Sequence, residues 1–246
     1  HSAFAHLTGW GSGAVPDSVL VLEPTSDGHT ATLYFRAAAG RDTTEFYANA
    51  AIGEFWTGPR PSLAHVAADL GLETRNLAEF DAVLERVDAS TVVVRDADAS
   101  VTDQLDALRL LSGTVDDIDE KPDTYFARDL SELRFVKDEW EIGELRAAIA
   151  ATKRGFDEII ADLPAAIAAE RGERVVEGTF DRRARIDGNT VGYDTIAASG
   201  PHACYLHWTR NDGAVVPGYL LLVYAGVELD SLYTADITRT LPVSGT

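Results

Sequence analysis

The hydrophobic pattern in the first half of the chain predicts short strands and helices in alternation. Two β-rich runs, 18–22 and 30–35, flank Asp27 and Gly28, residues typical of tight turns, so we predict a hairpin here. Helical spacing of apolar residues predicts helices at 62–70, 77–87 and 101–111. A continuous apolar run predicts a buried strand at 91–95. Strands followed by helix, strand and helix indicate a small α/β domain.

The second half of the chain begins with a long amphipathic stripe. From Asp138 the apolar positions repeat at helical spacing, and we expect this helix to end or restart at Pro164. A second helix is predicted over 176–186. After Gly192 the pattern turns to β structure, with predicted strands at 195–198, 219–227 and 232–243. Helices followed by strands indicate an α+β domain.

The change of pattern divides the chain into two domains. We place them at 1–132 and 133–246, a division that suits a length of 246 residues. The acidic stretch 116–123 precedes the boundary and is expected to cross the surface. The chain opens at His1, contains no methionine and stops just after a predicted strand, so we expect both ends to be cut.

Charge and cysteine content narrow the classes of partner. Lys and Arg number 21 against 40 Asp and Glu, a net charge of −19, which argues against nucleic acid or an anionic membrane surface as partner. No apolar run approaches the roughly 18 residues that a membrane span needs. The single Cys204 cannot form an internal disulfide, and no signal peptide is visible, so we expect a cytoplasmic protein.

The stretch 219–243 carries the candidate chemistry. If Asp230 lies at the centre of a turn, positions 224 and 236 face each other on adjacent strands, with Cβ atoms about 4.5–5.5 Å apart. A carboxylate at each position would form half of a two-metal site. The sequence has Asp236 at one position and Tyr224 at the other.

Five motifs together resemble one family. The run YTADITRTLPV at 233–243 resembles the strand D-I-T-R-T-x-P-V of the Xaa-Pro aminopeptidases (aminopeptidase P), pita-bread metallopeptidases related to prolidase and creatinase. Further likenesses to these enzymes lie at 193–200, 206–211, 135–146 and, near the start, 7–9 with 55–60. The resemblance implies an α/β creatinase-like amino-terminal domain followed by an α+β pita-bread catalytic domain that is incomplete.

The resemblance also implies a mechanism and a set of site residues. Members hold two divalent metal ions, most often Mn²⁺, whose bridging water attacks the bond before proline in Xaa-Pro peptides. By this likeness Asp236 is a metal ligand, His207 is a catalytic and substrate-binding imidazole, and Tyr193 lines the substrate pocket. A homo-oligomer is also expected.

The chain departs from the family pattern at the first metal ligand. Tyr224 stands where the family has Asp, and the remaining His and two Glu ligands are expected beyond Thr246. A phenol with an ordinary pKa near 10 is a poor ligand for such ions, so we expect impaired activity. Two alternatives stay open: a non-catalytic homologue that acts as a binding or oligomerisation module, and a creatinase-like hydrolase.

Overall fold

The fold consists of two compact units. The computed structural model describes residues 2–88, 90–95, 97–111 and 121–244. Clustering of the backbone divides the chain into His1–Val136 and Lys137–Thr246. The first unit mixes short helices with a small sheet, and the second combines two long helices with strands, which confirms the predicted fold class. In the described part of the chain, no helix has the length and apolar composition needed to cross a membrane.

The first unit is built on a three-stranded sheet. Strands β1 (Val19–Thr25) and β2 (Gly28–Phe35) form the predicted antiparallel hairpin, with Val19 opposite Tyr34. Strand β3 (Glu73–Asn76) runs parallel to β2 on its other side. The buried core lies on this sheet and contains Val15, Leu33, Phe35 and Val66.

Seven helices of the first unit surround or connect these strands in the described residues. They are α1 (Ser2–Thr8), α2 (Thr44–Ala48), α3 (Glu54–Thr57), α4 (Leu63–Leu70), α5 (Asp81–Leu84), α6 (Ala99–Leu111) and α7 (Lys121–Leu133). The helices predicted at 62–70 and 101–111 are confirmed by α4 and α6. Ser62 caps α4 by accepting a hydrogen bond from His65 N, which explains where that helix begins.

Two predictions in this unit are corrected by the structure. The helix predicted at 77–87 begins where expected, at a capping box of Asn76 and Glu79, but it consists of a 3₁₀ turn, Leu77–Glu79, and the short helix α5, which ends at Leu84. The run 91–95 is not a strand, since Val93 N donates to the buried carboxylate of Asp123 rather than to a neighbouring strand. Most of the acidic stretch 116–123 lies outside the described residues.

The second unit opens with a long helix that begins as predicted. Helix α8 spans Glu139–Ala168, and Asp138 caps it in a reciprocal box with Glu141. The prediction that Pro164 ends or restarts this helix is wrong. A proline removes a single backbone donor, and the buried face of α8, including Ile159 and Ala166, continues to pack on both sides of it.

The second helix of this unit packs closely on the first. Helix α9 spans Gly172–Asp187, slightly longer than the prediction. The ring of Phe180 on α9 lies over Gly155 on α8, where a Cβ atom would come within 2.6 Å of the ring. The two helices can approach this closely because residue 155 has no side chain.

Two small sheets complete the second unit. Strands β5 (Ile196–Ser199), β6 (Leu220–Ala225) and β8 (Ile237–Pro242) form an antiparallel sheet in the order β5-β6-β8. Strands β4 (Thr190–Val191) and β7 (Val227–Glu228) form a separate pair. The strand predicted over 232–243 is therefore shorter in the structure. Buried residues of β6, among them Leu221 and Val223, pack with those of α8 and α9 in one core.

Candidate active site

The β6–β8 pairing brings Tyr224 and Asp236 together, although not in the predicted register. Tyr224 lies opposite Thr238, so the prediction that positions 224 and 236 pair directly is wrong by two residues. The cause is the connection, which closes through Leu229–Leu232, with Leu232 in the left-handed region at φ 68°. Because side chains alternate with a period of two, this shift keeps both residues on one face.

A hydrogen bond joins the two side chains across this face. The Tyr224 hydroxyl donates to Asp236 Oδ2 at 3.0 Å. This bond to a carboxylate is the main reason why the pKa of Tyr224 lies above the ordinary value for a phenol. The phenol therefore stays neutral and holds the carboxylate as a hydrogen-bond donor.

Tyr193 lies against the same pair. Its ring stacks on the ring of Tyr224 with centroids 4.6 Å apart and an angle of 24° between the planes. Burial and, after it, the charge of Asp236 raise the pKa of Tyr193. The structure thus brings together three of the residues named from the sequence: Tyr193, Tyr224 and Asp236.

On their own, these three side chains do not make up a two-metal centre. A neutral phenol that donates its hydrogen to Asp236 offers little to a divalent cation, which binds carboxylate and imidazole groups in such sites. Among the residues described, no group of three or more His, Cys, Asp or Glu side chains is arranged to hold a metal ion. Asp236 alone would be a single-carboxylate ligand.

His207 lies on a different element from this trio. It follows the 3₁₀ helix Gly200–Cys204, and its side chain is exposed. In the described part of the chain, no hydrogen bond links His207 to Asp236, Tyr224 or Tyr193. The catalytic and substrate-binding role of His207 stays a prediction.

Sequence reasoning missed a buried carboxylate near His207. Glu173 is fully buried at the start of α9 and accepts four hydrogen bonds from N–H groups around residues 199–213. Glu173, Val176 and Phe180 are all buried and follow one another at helical spacing. A glutamate on the apolar stripe of α9 was the signal that could have identified it.

Two family models match the chain. Residues 1–94 match the model described as the N-terminal domain of aminopeptidase P. Residues 143–246 match the model of metallopeptidase family M24. The chain therefore combines a region similar to the N-terminal domain of aminopeptidase P with a region similar to metallopeptidase family M24. The family predicted from the motifs is thereby confirmed.

Curated relatives and solved structures agree with this assignment. Xaa-Pro aminopeptidase 2 of Streptomyces coelicolor is 47% identical over a match that covers 100% of this chain and 49% of the relative. Xaa-Pro aminopeptidase 1 of the same organism is 44% identical over 243 residues, 99% of this chain and 46% of the relative. The chain spans about half the length of these relatives.

The fold resembles that of a solved aminopeptidase P. The zinc-substituted enzyme of Escherichia coli in complex with product matches with a TM-score of 0.72 and 26% sequence identity. The match covers 99% of this chain and 53% of that chain. The likeness therefore extends over both units of the fold described above.

Proposed function

We propose that this chain forms the amino-terminal domain, residues 1–132, and part of the pita-bread catalytic domain, residues 133–246, of an aminopeptidase. The reaction is release of the amino-terminal residue from Xaa-Pro peptides. The observation that carries this proposal is the 44–47% identity to two Xaa-Pro aminopeptidases over nearly the whole chain. The proposed setting is the cytoplasm, as a homo-oligomer.

The proposal assigns roles to residues of the second unit. His207, exposed and on a segment between β5 and β6, would contact the substrate and stabilise charge on the attacked carbonyl oxygen. Tyr193, stacked on Tyr224, would line the pocket for the substrate. Asp236 would be the ligand that this stretch contributes to two divalent metal ions, with Mn²⁺ the expected metal.

Tyr224 is expected to impair this activity. Its hydroxyl holds Asp236 through a hydrogen bond, and its ring occupies the space beside that carboxylate. A ligand position without a carboxylate lowers the affinity of a site for a hard cation.

The Tyr224–Asp236 hydrogen bond also favours a second candidate function. Two side chains whose hydrogen-bonding groups pair with each other are what we expect in a non-catalytic member of the family, which would act as a binding or oligomerisation module. The two candidates differ in what happens when the carboxylate is restored.

The test is a Tyr224→Asp substitution in the natural full-length polypeptide, assayed on an Xaa-Pro peptide with added Mn²⁺. Aminopeptidase function predicts measurable proline-specific cleavage in the parent and an increase in the variant, because the variant gains a carboxylate ligand. Tyr219→Phe, at an exposed tyrosine, is the matched control and should leave the rate unchanged. No cleavage by either the parent or Tyr224→Asp would favour the non-catalytic alternative.

A further inference from the structure

The carboxylate of Glu173 gathers donors from a single stretch of chain. Its Oε1 accepts from Ser199 N and from His202 Nδ1, each at 2.7 Å. Its Oε2 accepts from the indole Nε1 of Trp208 at 2.9 Å and from Gly213 N at 2.8 Å. We call residues 199–213, which supply all four donors, the clamped segment.

Three of the four partners can only donate: Ser199 N, Trp208 Nε1 and Gly213 N. The fourth partner, the Nδ1 atom of His202, is assigned as a donor as well, because Glu173 is then a carboxylate that accepts two hydrogen bonds at each oxygen. A buried charge is tolerated when it is fully hydrogen-bonded in this way, and such charge-assisted bonds are the stronger ones.

Stacked rings add a second constraint on the same segment. The Trp208 indole stacks on His202 at 4.0 Å between centroids and on Tyr205 at 5.5 Å, with interplanar angles of 26° and 29°. The guanidinium of Arg210 lies 5.0 Å from the centroid of Trp208. The residue next to His207 is thus fixed both by its ring and by its N–H group.

We infer that Glu173 is a positioning residue for His207, which it places through the clamped segment. The inference rests on the proposed function, in which His207 contacts the substrate. In the described part of the chain, the imidazole of His207 makes no hydrogen bond, so the backbone sets its position. Glu173 anchors that backbone through the N–H groups of Ser199 and Gly213, and it holds the residue next to His207 through the indole of Trp208.

The change Glu173→Gln separates this role from simple burial. Glutamine has nearly the same shape but offers one oxygen and one NH₂ group. If the NH₂ group faces Trp208 Nε1 and Gly213 N, both of their hydrogen bonds are lost. If it faces Ser199 N and His202 Nδ1, the bond from Ser199 N is lost, and the bond with His202 persists only when the imidazole moves its hydrogen to Nε2. Glu170→Gln removes the same charge from an exposed position close by and is the matched control.

The test is nuclear magnetic resonance of the chain labelled with ¹⁵N histidine. The nitrogen signals of the six imidazoles show which ring nitrogen carries the hydrogen. We expect His202 in the Nδ1–H form in the parent, and a shift of the His207 signals in Glu173→Gln. Signals of His29 and His65, in the first unit, should stay in place and show that the variant is folded. Glu170→Gln should reproduce the parent spectrum. Unchanged His207 signals in folded Glu173→Gln would overturn the inference.

A second variant decides the matter if Glu173→Gln does not fold. Trp208→Phe keeps an aromatic ring in the stack but removes a single donor to Glu173. The His207 signals should shift here as well, and their constancy in folded Trp208→Phe would contradict the positioning role.

Kinetics separate this inference from the proposed function. In full-length protein with measurable cleavage of an Xaa-Pro peptide, Glu173→Gln should lower kcat by about tenfold or more while KM changes by less than about threefold. An effect on KM alone would contradict the positioning role. Absence of cleavage in the parent would count against the proposed function. The His207 signals would still test whether Glu173 positions His207 through the clamped segment.

Discussion

At the scale of single residues, the hydrogen bond between Tyr224 and Asp236 determines the chemistry of the candidate site. The bond predicts the result of Asp236→Asn: the pKa of Tyr224 should fall, because a neutral amide no longer favours the neutral phenol. The pKa of Tyr193 should fall with it, since the charge of Asp236 contributes to its rise. Titration of tyrosinate absorbance measures both changes.

Two controls belong to this titration. Tyr224→Phe should lose one late-ionising step and keep those of Tyr193 and Tyr233. An identical titration curve for the parent and Asp236→Asn would show that the two side chains do not interact in solution.

The raised tyrosine pKa values also make stability depend on pH. Tyr193, Tyr224 and Tyr233 hold their protons more tightly in the folded chain, Tyr233 because of burial and its hydrogen bond to Glu141. In the unfolded chain phenols ionise near pH 10, so above about pH 10 the unfolded state releases protons first. The contribution of these three tyrosines to the free energy of unfolding should therefore be constant below that pH and decrease above it.

Denaturant midpoints at a series of alkaline pH values check this sign. The triple change of these residues to phenylalanine should make the decrease shallower. A decrease as steep as in the parent would assign the effect to other groups.

At the scale of elements, the close packing of α8 on α9 makes opposite predictions for two glycines of one helix. Gly155→Ala should destabilise the chain by about 1–3 kcal/mol, because the new methyl group would overlap the Phe180 ring. Gly143→Ala is the matched control: no atom outside the local helix lies within 4 Å, and alanine favours the helix by up to about 1 kcal/mol. Urea unfolding measures both, and equal effects would refute the packing described.

The elements also show what the sequence could predict. Hydrophobic periodicity identified α4, α6 and the start of α8, because each buries a helical stripe or begins at a side-chain cap. The β1–β2 hairpin was identified by two β-rich runs on either side of the turn residues Asp27 and Gly28. It missed β3, whose residues Glu73–Asn76 are polar and which pairs along a single edge of the sheet. It placed a strand at 91–95, where a side chain, Asp123, takes the backbone donor instead.

The candidate site was predictable as a set of residues but not as a geometry. Family motifs named Asp236, Tyr193 and Tyr224, which the structure brings together. The exact pairing depended on the turn at Leu229–Leu232, which no pattern of apolar residues determines. The role of Glu173 depends on four donors from a distant part of the chain, which only the tertiary structure assembles.

At the scale of the whole molecule, the two units carry the fold of aminopeptidase P, and we propose that Tyr224 departs from the family's pattern at one metal-ligand position. Residues 1–94 and 143–246 match the two family models, and the chain spans about half the length of its curated relatives. The central claim is that Tyr224, hydrogen-bonded to Asp236, keeps this chain from holding a pair of metal ions.

Metal analysis of the purified 246-residue chain after equilibration with Mn²⁺ and gel filtration tests that claim most directly. We predict no tightly bound pair of ions, because a lone carboxylate engaged by a phenol cannot hold a hard cation against water. The Tyr224→Asp variant, measured alongside, should retain more Mn²⁺ than the parent. Two tightly bound equivalents in the parent, together with proline-specific cleavage that a chelator abolishes, would contradict the account.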